Sequence, residues 1–121
     1  MTDDRMYLQD ILDRLSPIEV YTKGGKIEFL QSSLIQDGVI RCFEVIGEAV
    51  KLLSPKLRQS YSDIPWRRIA GFRDVLIHNY AGINLDEVWN LVEYNLPDLK
   101  PKIVQILSEI NNETWKYKSI Y

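Results

Sequence analysis

Apolar residues recur along this chain at three- and four-residue steps, which is the pattern of amphipathic helices. The first such segment extends from about Asp3 to Tyr21, and its apolar positions are Leu8, Ile11, Leu12, Leu15 and Ile18. Pro17 lies inside it and should kink or interrupt the helix, because proline donates no backbone hydrogen bond. The sequence Thr22-Lys23-Gly24-Gly25 predicts its end, and a short helical turn follows over Lys26 to Leu30.

A second long helix is predicted from about Ser33 to Leu53, before the break at Ser54-Pro55. Its apolar positions alternate four- and three-residue steps, as in a helix–helix seam: Val39, Phe43, Ile46, Val50 and Leu53. Charged residues repeat in the same rhythm on another side: Asp37, Arg41, Glu44, Glu48 and Lys51. This charged stripe is either a solvated face or a polar wall lining a cleft, and the sequence leaves both open.

Two further helices complete the pattern. One starts at Asp63-Ile64-Pro65-Trp66, with Asp63 as N-cap, and continues to about Tyr80. The other opens at Asp86-Glu87, and its prolines should bend or split it near Asn95. Residues 111–121 are predicted to be a frayed tail. The sequence therefore predicts an all-α bundle of four main helices plus short ones, with one domain over residues 1–110 and a C-terminal tail over 111–121. The seam-like repeats suggest a dimer interface.

Composition narrows the class of protein. The chain has 121 residues, 45% hydrophobic and 26% charged, which suits one globular domain with a real core. It has no apolar run long enough to span a membrane and an acidic N-terminus unlike a targeting signal, so we expect a cytoplasmic protein. The single cysteine, Cys42, has apolar neighbours and should be a buried, inert thiol. With a net charge of -2, any contact with nucleic acid must depend on local positive charge.

The candidate chemistry lies in the stretch Arg73-Asp74-Val75-Leu76-Ile77-His78-Asn79-Tyr80, which holds the only histidine. Histidine exchanges a proton near neutral pH, and arginine grips phosphate oxygens with its planar fork. Asp74, one helical turn before His78, would favour the imidazolium and raise its pKa. Arg67 and Arg68, earlier on the same helix, could hold flanking phosphates.

Plainer interpretations stay open for the same residues. His78 can be a structural histidine at a helix C-terminus, and Arg73 with Asp74 an ordinary surface ion pair. On a straight helix Arg73 and His78 lie about 140° apart, so two copies meeting across a dimer axis would unite them better than one. One histidine and one distant cysteine do not make a zinc site, and Glu44 with Glu48 is weak evidence for Mg²⁺. No metal site is therefore predicted.

The sequence as a whole resembles the HepT-like toxins of the HEPN superfamily. Arg73-x4-His78-x-Tyr80 matches their R-x4-H-x-Y motif, and the resemblance covers roughly residues 3 to 110. Other stretches that carry it are Tyr7-Leu8-Gln9-Asp10-Ile11-Leu12, Asp37-Gly38-Val39-Ile40-Arg41, Ile46-Gly47-Glu48-Ala49, Ile64-Pro65-Trp66-Arg67-Arg68-Ile69-Ala70-Gly71, and Val88-Trp89 to Leu96-Pro97. The chain departs from many such motifs at Asp74, where the family often has asparagine, and this acid weakens the local positive field.

The resemblance implies a HEPN-type antiparallel bundle and a homodimeric, metal-independent ribonuclease, the toxin of a type VII toxin–antitoxin pair. It places catalytic Arg73 and His78 in a cleft between two protomers, with Glu44 and Glu48 as possible supports. It also implies a partner, an MntA-like minimal nucleotidyltransferase antitoxin, which would inactivate the toxin by transferring AMP from ATP to Tyr80. Cleavage itself would need no cofactor, and the expected substrate is tRNA, with mRNA as the alternative.

Two other functions compete with a toxin. The chain could be a docking module that binds a nucleotidyltransferase and does not cleave, or the substrate subunit of a nucleotide-transfer complex. A toxin should stop growth when expressed alone, and His78→Ala should relieve the arrest. A docking module should be harmless, and a substrate subunit should gain AMP in the presence of its partner.

Overall fold

The computed structural model describes residues 3–71 and 84–120, with side chains as far as residue 111. This part of the chain contains helices and turns and no strand, which confirms the all-α fold predicted from the sequence. The helices are α1 (Asp4–Tyr21), α2 (Lys26–Gln31), α3 (Ser33–Leu52), α4 (Pro55–Ser60), α5 (described over residues 66–71), α6 (Leu85–Asn90) and α7 (Leu96–Ile120), and a π-helical turn (Leu91–Asn95) joins the last two.

The N-termini of the first helices are capped by side chains that the sequence supplies. Asp3 accepts a hydrogen bond from the amide of Met6 at 3.3 Å, and Ser32 accepts one from the amide of Ile35 at 3.2 Å. Such caps satisfy amide groups that have no partner within the helix. Between these helices Gly25 adopts a φ of 92°, a left-handed conformation that glycine adopts without strain. Helix α1 continues across Pro17 to Tyr21.

Helices α1 and α3 pack against each other, and α7 packs on α1. The core between them is apolar and almost fully enclosed: Leu8, Ile11, Leu15, Ile18, Val39, Ile46, Val50, Ile103 and Ile106. One end of the α1–α3 pair is fastened by Asp4, whose carboxylate accepts hydrogen bonds from the amide of Ser54 at 2.8 Å and from its hydroxyl at 2.6 Å. The Ser54 hydroxyl also caps α4 by accepting from the amide of Leu57.

The short helix α2 ties α3 to α6. The buried ring of Phe29 lies 5.5 Å from the ring of Trp89, with 37° between their planes. Lys26 of α2 pairs with Asp86 of α6 at 3.3 Å on the surface. The two contacts fix α6 against the first half of the molecule, and thereby fix the start of the C-terminal helices.

The C-terminal helices change their winding near Asn95, as predicted, although by a π-helical turn and not by a break. The amide of Leu96 donates to the carbonyl of Leu91, five residues earlier. Pro97 accounts for this position, since it has no amide hydrogen and its ring crowds the preceding turn. Helix α7 then extends to Ile120, so the backbone is helical where the sequence suggested a frayed tail. The division into a domain and a tail stays a prediction.

None of the helices that the structure describes combines the length and the apolar content that crossing a membrane requires.

Candidate functional site

The motif residues Arg73, Asp74, His78 and Tyr80 lie outside the described residues, so their predicted arrangement stays a prediction. The structure does describe helix α5, which comes immediately before them in the chain. It also describes the supporting residues Arg67, Arg68, Glu44 and Glu48.

Helix α5 begins at residue 66, so its N-cap is Pro65, two residues after the N-cap predicted at Asp63. The carbonyl of Pro65 accepts the first helical hydrogen bond, from the amide of Ile69 at 3.1 Å. The tertiary structure accounts for the shift: the indole of Trp66 is buried and donates to the carbonyl of Tyr61 at 3.0 Å. A tight turn between these residues is needed to bury the indole and satisfy its N–H, and it delays the helix.

The turn that leads into α5 is fastened to α7 by two side-chain contacts. The hydroxyl of Tyr61 donates a hydrogen bond to the carboxylate of Glu109. Asp63 pairs with Lys102 at 3.6 Å, so its carboxylate contacts α7 where the sequence predicted a helix cap. Together with the buried Trp66, these contacts fix where α5 starts and in which direction it leaves the core.

Arg67 and Arg68 are both exposed on α5. Arg68 lines a cleft of about 590 Å³ between α5 and the C-terminal helices, which we name the α5–α7 cleft. Apolar side chains form its floor: Phe43, Ile46, Ile64, Leu91, Leu96 and Leu99. Polar side chains form its rim: Arg68, Glu87, Asn90, Asn95, Asp98 and Lys102. Arg67 is not among the residues that line it.

The π-helical turn places Asn90 and Asn95 together on the rim of this cleft. In an α-helix, residues five apart point about 140° away from each other. A π-helical turn is wider and bonds residue i to residue i+5, so it brings positions five apart closer to the same face than an α-helix does. Sequence reasoning did not select either asparagine, because helical periodicity separates them. The only signal in the sequence was Pro97, which predicts a disturbance at this point but not which side chains it unites.

Glu44 and Glu48 line a different cleft. A groove of about 230 Å³ runs between α1 and α3, and it is lined by Tyr7, Asp10, Arg41, Glu44, Val45, Glu48, Ala49 and Leu52. We name it the α1–α3 groove. Arg41 pairs there with Glu44 at 3.3 Å. Part of the charged stripe on α3 is therefore the wall of a groove, which was one of the two interpretations left open. The structure does not bring Glu44 and Glu48 together with Arg68, and their support of catalysis stays a prediction.

Cys42 is buried, as predicted from its apolar neighbours. Burial raises the pKa of its thiol, and the guanidinium of Arg14 lowers that pKa by a smaller amount. The net shift keeps the sulfur protonated at neutral pH, and a protonated thiol is a poor nucleophile. Among the residues of 3–71 and 84–111, no three histidine, cysteine, aspartate or glutamate side chains are grouped as metal ligands would be.

In a comparison with known protein families, the chain matches the model described as "Ribonuclease HepT-like" over residues 11–106. This range covers most of the chain, and it includes α5, every residue that lines the α5–α7 cleft and the motif Arg73-x4-His78-x-Tyr80. No solved structure matches the chain significantly.

Among curated proteins, the chain is similar to a "gamma-glutamylcyclotransferase and putative RNase" of Methanocaldococcus jannaschii, at 41% identity over 117 residues. That alignment takes in 95% of this chain and 53% of the relative, so the chain spans about half the length of that protein. A "putative RNase" of the same organism is 38% identical over 92% of this chain and 93% of its own length. The "probable ribonuclease HepT" of Thermococcus cleftensis is 38% identical over 83% of this chain and 92% of its own.

Proposed function

Because the chain belongs to the HepT-like ribonuclease family, we propose that it is a metal-independent endoribonuclease and the toxin of a type VII toxin–antitoxin pair. Arg73 and His78 are the proposed catalytic residues, and tRNA is the proposed substrate class. The alternatives of a docking module and a substrate subunit are kept as outcomes of the experiments below.

The motif Arg73-x4-His78-x-Tyr80 carries this proposal, because it lies inside the range that matches the ribonuclease family. Two features of the described part of the chain support it. Helix α5, which precedes the motif, is anchored to the core by Trp66 and to α7 through Tyr61. Arg67 and Arg68 are exposed on α5 and free to meet phosphates, in a protein whose overall charge is negative.

The proposed reaction uses the 2′-hydroxyl of RNA as the nucleophile. Neutral His78 takes the proton of that hydroxyl, the 2′-oxygen bonds to the adjacent phosphorus, and the bond from phosphorus to the 5′-oxygen breaks. A protonated imidazole, from His78 of the second protomer, supplies the proton that the leaving 5′-oxygen needs. Arg73 holds the phosphate and stabilises its added charge. The products are a 2′,3′-cyclic phosphate and a 5′-hydroxyl, which requires no metal ion or other cofactor.

Two copies of the chain are proposed to form the active site. Arg73 and His78 point about 140° apart on a regular helix, so a cleft shared between protomers unites them more readily than one helix can. Control is proposed to come from an MntA-like nucleotidyltransferase that transfers AMP from ATP to Tyr80. Each added phosphodiester carries about one negative charge, which would compete with RNA for Arg73.

The first experiment is cleavage of total tRNA by the purified chain in EDTA, beside His78→Ala and Arg73→Ala. We expect cutting by the wild type, fragments with cyclic phosphate ends, and a loss of about a hundredfold or more for His78→Ala. Tyr80→Phe is the matched control, since it removes the acceptor of AMP and leaves the proposed catalytic pair intact. Equal cutting by wild type and His78→Ala would point to a contaminating nuclease and refute the assignment.

The second experiment tests control and assembly. Co-expression with an MntA-like nucleotidyltransferase should add the mass of one or more AMP residues to the wild type and none to Tyr80→Phe. Sedimentation should give a dimer. If the chain is harmless alone, cuts no RNA and still gains AMP, it is a substrate subunit. If it binds the enzyme without cutting or gaining AMP, it is a docking module.

A further inference from the structure

We propose that the α5–α7 cleft binds one unstacked nucleotide of the RNA substrate, with the base between its apolar floor and two asparagines and the phosphate at Arg68. This inference rests on the proposed ribonuclease function and adds a substrate-binding subsite to it. It concerns only described residues, none of which belongs to the R-x4-H-x-Y motif.

The size and floor of the cleft suit a nucleobase. Its volume of about 590 Å³ lies within the usual range for sites that enclose small molecules. The floor contains the ring of Phe43 and branched side chains such as Ile46 and Leu99, all largely removed from solvent. Single-stranded RNA is commonly recognised by bases that leave their stack and lay their flat faces on apolar side chains.

The two asparagines provide the hydrogen-bonding edge. Each carboxamide offers a donor and an acceptor, the combination that reads the edge of a base such as adenine. Asn90 and Asn95 line the same cleft because the π-helical turn between them gathers positions five apart. Single π-turns inside helices frequently lie at functional sites. In this protein the turn accompanies two asparagines on the lining of one cleft.

The charges on the rim distinguish a nucleotide from a bare anion. Arg68 and Lys102 are balanced by Glu87 and Asp98, so the cleft has no net attraction for phosphate alone. Lys102 is already paired with Asp63, which leaves Arg68 as the available phosphate contact. The carboxylates can accept hydrogen bonds from the exocyclic amino groups of bases. The rim therefore suits a ligand with one anionic group and an amino-bearing base.

The position of the cleft also favours RNA over a protein segment as its occupant. Arg68 shares the exposed surface of α5 with Arg67, which does not line the cleft and can meet a neighbouring phosphate of the same strand. Arg68 precedes Arg73 by five positions in the sequence. The proposed subsite and the proposed catalytic motif are therefore close together in the sequence.

The test is RNA binding by the full chain in the His78→Ala background, which prevents cleavage. Fluorescence anisotropy would compare labelled single-stranded oligonucleotides, each made of one base. We expect the parent to prefer one base, and Asn90→Ala or Asn95→Ala to lose about tenfold in affinity for it and to bind all four more equally. Arg68→Ala should instead weaken all four alike and reduce the slope of log affinity against log salt by about one.

Matched controls use the same substitutions outside the cleft. Asn111→Ala removes an exposed carboxamide from α7, and Arg5→Ala removes an exposed positive charge from α1. Neither should change base preference, and Arg5→Ala should have a smaller effect than Arg68→Ala. Thermal melting followed by circular dichroism would confirm that every variant is folded to the same extent as the parent.

The outcomes separate this inference from the function on which it rests. If the wild type cuts RNA while the cleft variants bind like the parent, the subsite is refuted and the ribonuclease stands. If the wild type neither cuts nor binds RNA, the proposed function fails and the subsite fails with it. If the cleft variants bind RNA normally but no longer co-purify with the nucleotidyltransferase, the cleft is a protein-docking surface and the RNA subsite is wrong.

Discussion

Replacing Phe29 with alanine should be among the most damaging changes to the stability of this fold. The ring is fully buried and pairs with Trp89 at 5.5 Å, so its removal leaves a cavity between α2 and α6. Deletion of a buried phenylalanine ring typically costs about 3–5 kcal/mol, the lost transfer energy plus the cavity. A domain of this size loses about 4 °C in melting temperature per kcal/mol, which predicts a fall of about 12–20 °C.

The assay is equilibrium unfolding in urea at one fixed protein concentration, since assembly would otherwise change the apparent stability. Ile27→Ala is the matched control: it lies on the same short helix, is 74% exposed, and should change the free energy of unfolding by less than about 0.5 kcal/mol. A double-mutant cycle with Trp89→Leu would isolate the ring–ring contact, expected to be about 0.5–1.5 kcal/mol.

A loss below about 1 kcal/mol for Phe29→Ala would refute the reasoning, because no well-packed aromatic core position responds so weakly. A loss equal to that of Ile27→Ala would show that α2 is not packed on α6 in solution. The position of α6, and with it one wall of the α5–α7 cleft, would then need another explanation.

Three further changes test other parts of the structure. Asp4→Ala should lower the free energy of unfolding by about 1–3 kcal/mol, because it leaves the amide and hydroxyl of Ser54 without their charged acceptor. Gly38→Ala would place a Cβ 3.0 Å from the ring of Tyr21. Alanine is more favourable than glycine inside a helix by about 0.5–1 kcal/mol, but this close contact should offset part of that stabilisation. The full increase in stability is therefore expected only in the double variant Gly38→Ala/Tyr21→Ala. The raised pKa of Cys42 means that the folded thiol keeps its proton longer than the unfolded one, so stability should fall as pH rises above about 8.5.

Each of these has its own comparison. Asp10 is an exposed acid on the same helix, so Asp10→Ala should leave the free energy of unfolding nearly unchanged. A loss of stability equal to that of Asp4→Ala would mean that the net charge of the helix, and not the contact with Ser54, causes the effect. For Gly38, equal effects in both Tyr21 backgrounds would show that the ring does not obstruct the new methyl. For Cys42, the quantity measured is the difference in pH dependence between wild type and Cys42→Ala, which cancels the titration of lysines and tyrosines. An identical slope in both proteins would exclude the thiol as its cause.

The helices were predictable because their determinants are local. Apolar spacing predicted α1 and α3 to within a residue or two, and the break at Thr22-Lys23-Gly24-Gly25 fell where predicted. The burial of Cys42 followed from its neighbours in the same way. The motif Arg73-x4-His78-x-Tyr80 could also be recognised from the sequence alone. The family assignment based on it was confirmed by the comparison with known families.

Only the tertiary structure decided how these elements meet. Helix α5 starts two residues later than predicted. The indole of Trp66 donates to the carbonyl of Tyr61, and Asp63 pairs with Lys102, and both contacts are made outside the helix. The α3 acids Glu44 and Glu48 line a groove separate from the cleft of Arg68, since opposite faces of one helix serve different neighbours.

The pairing of Asn90 with Asn95 shows the limit of the sequence most clearly. Helical periodicity identifies only neighbours three and four residues apart. Pro97 predicts an irregularity in the helix, but it does not predict the geometry of that irregularity. The π-helical turn satisfies the backbone around that proline, and the side chains it unites are a by-product of that solution. The sequence by itself determined which helices form and which motif they carry. The packing of those helices determined which distant side chains share a cleft, because that depends on contacts that no local pattern encodes.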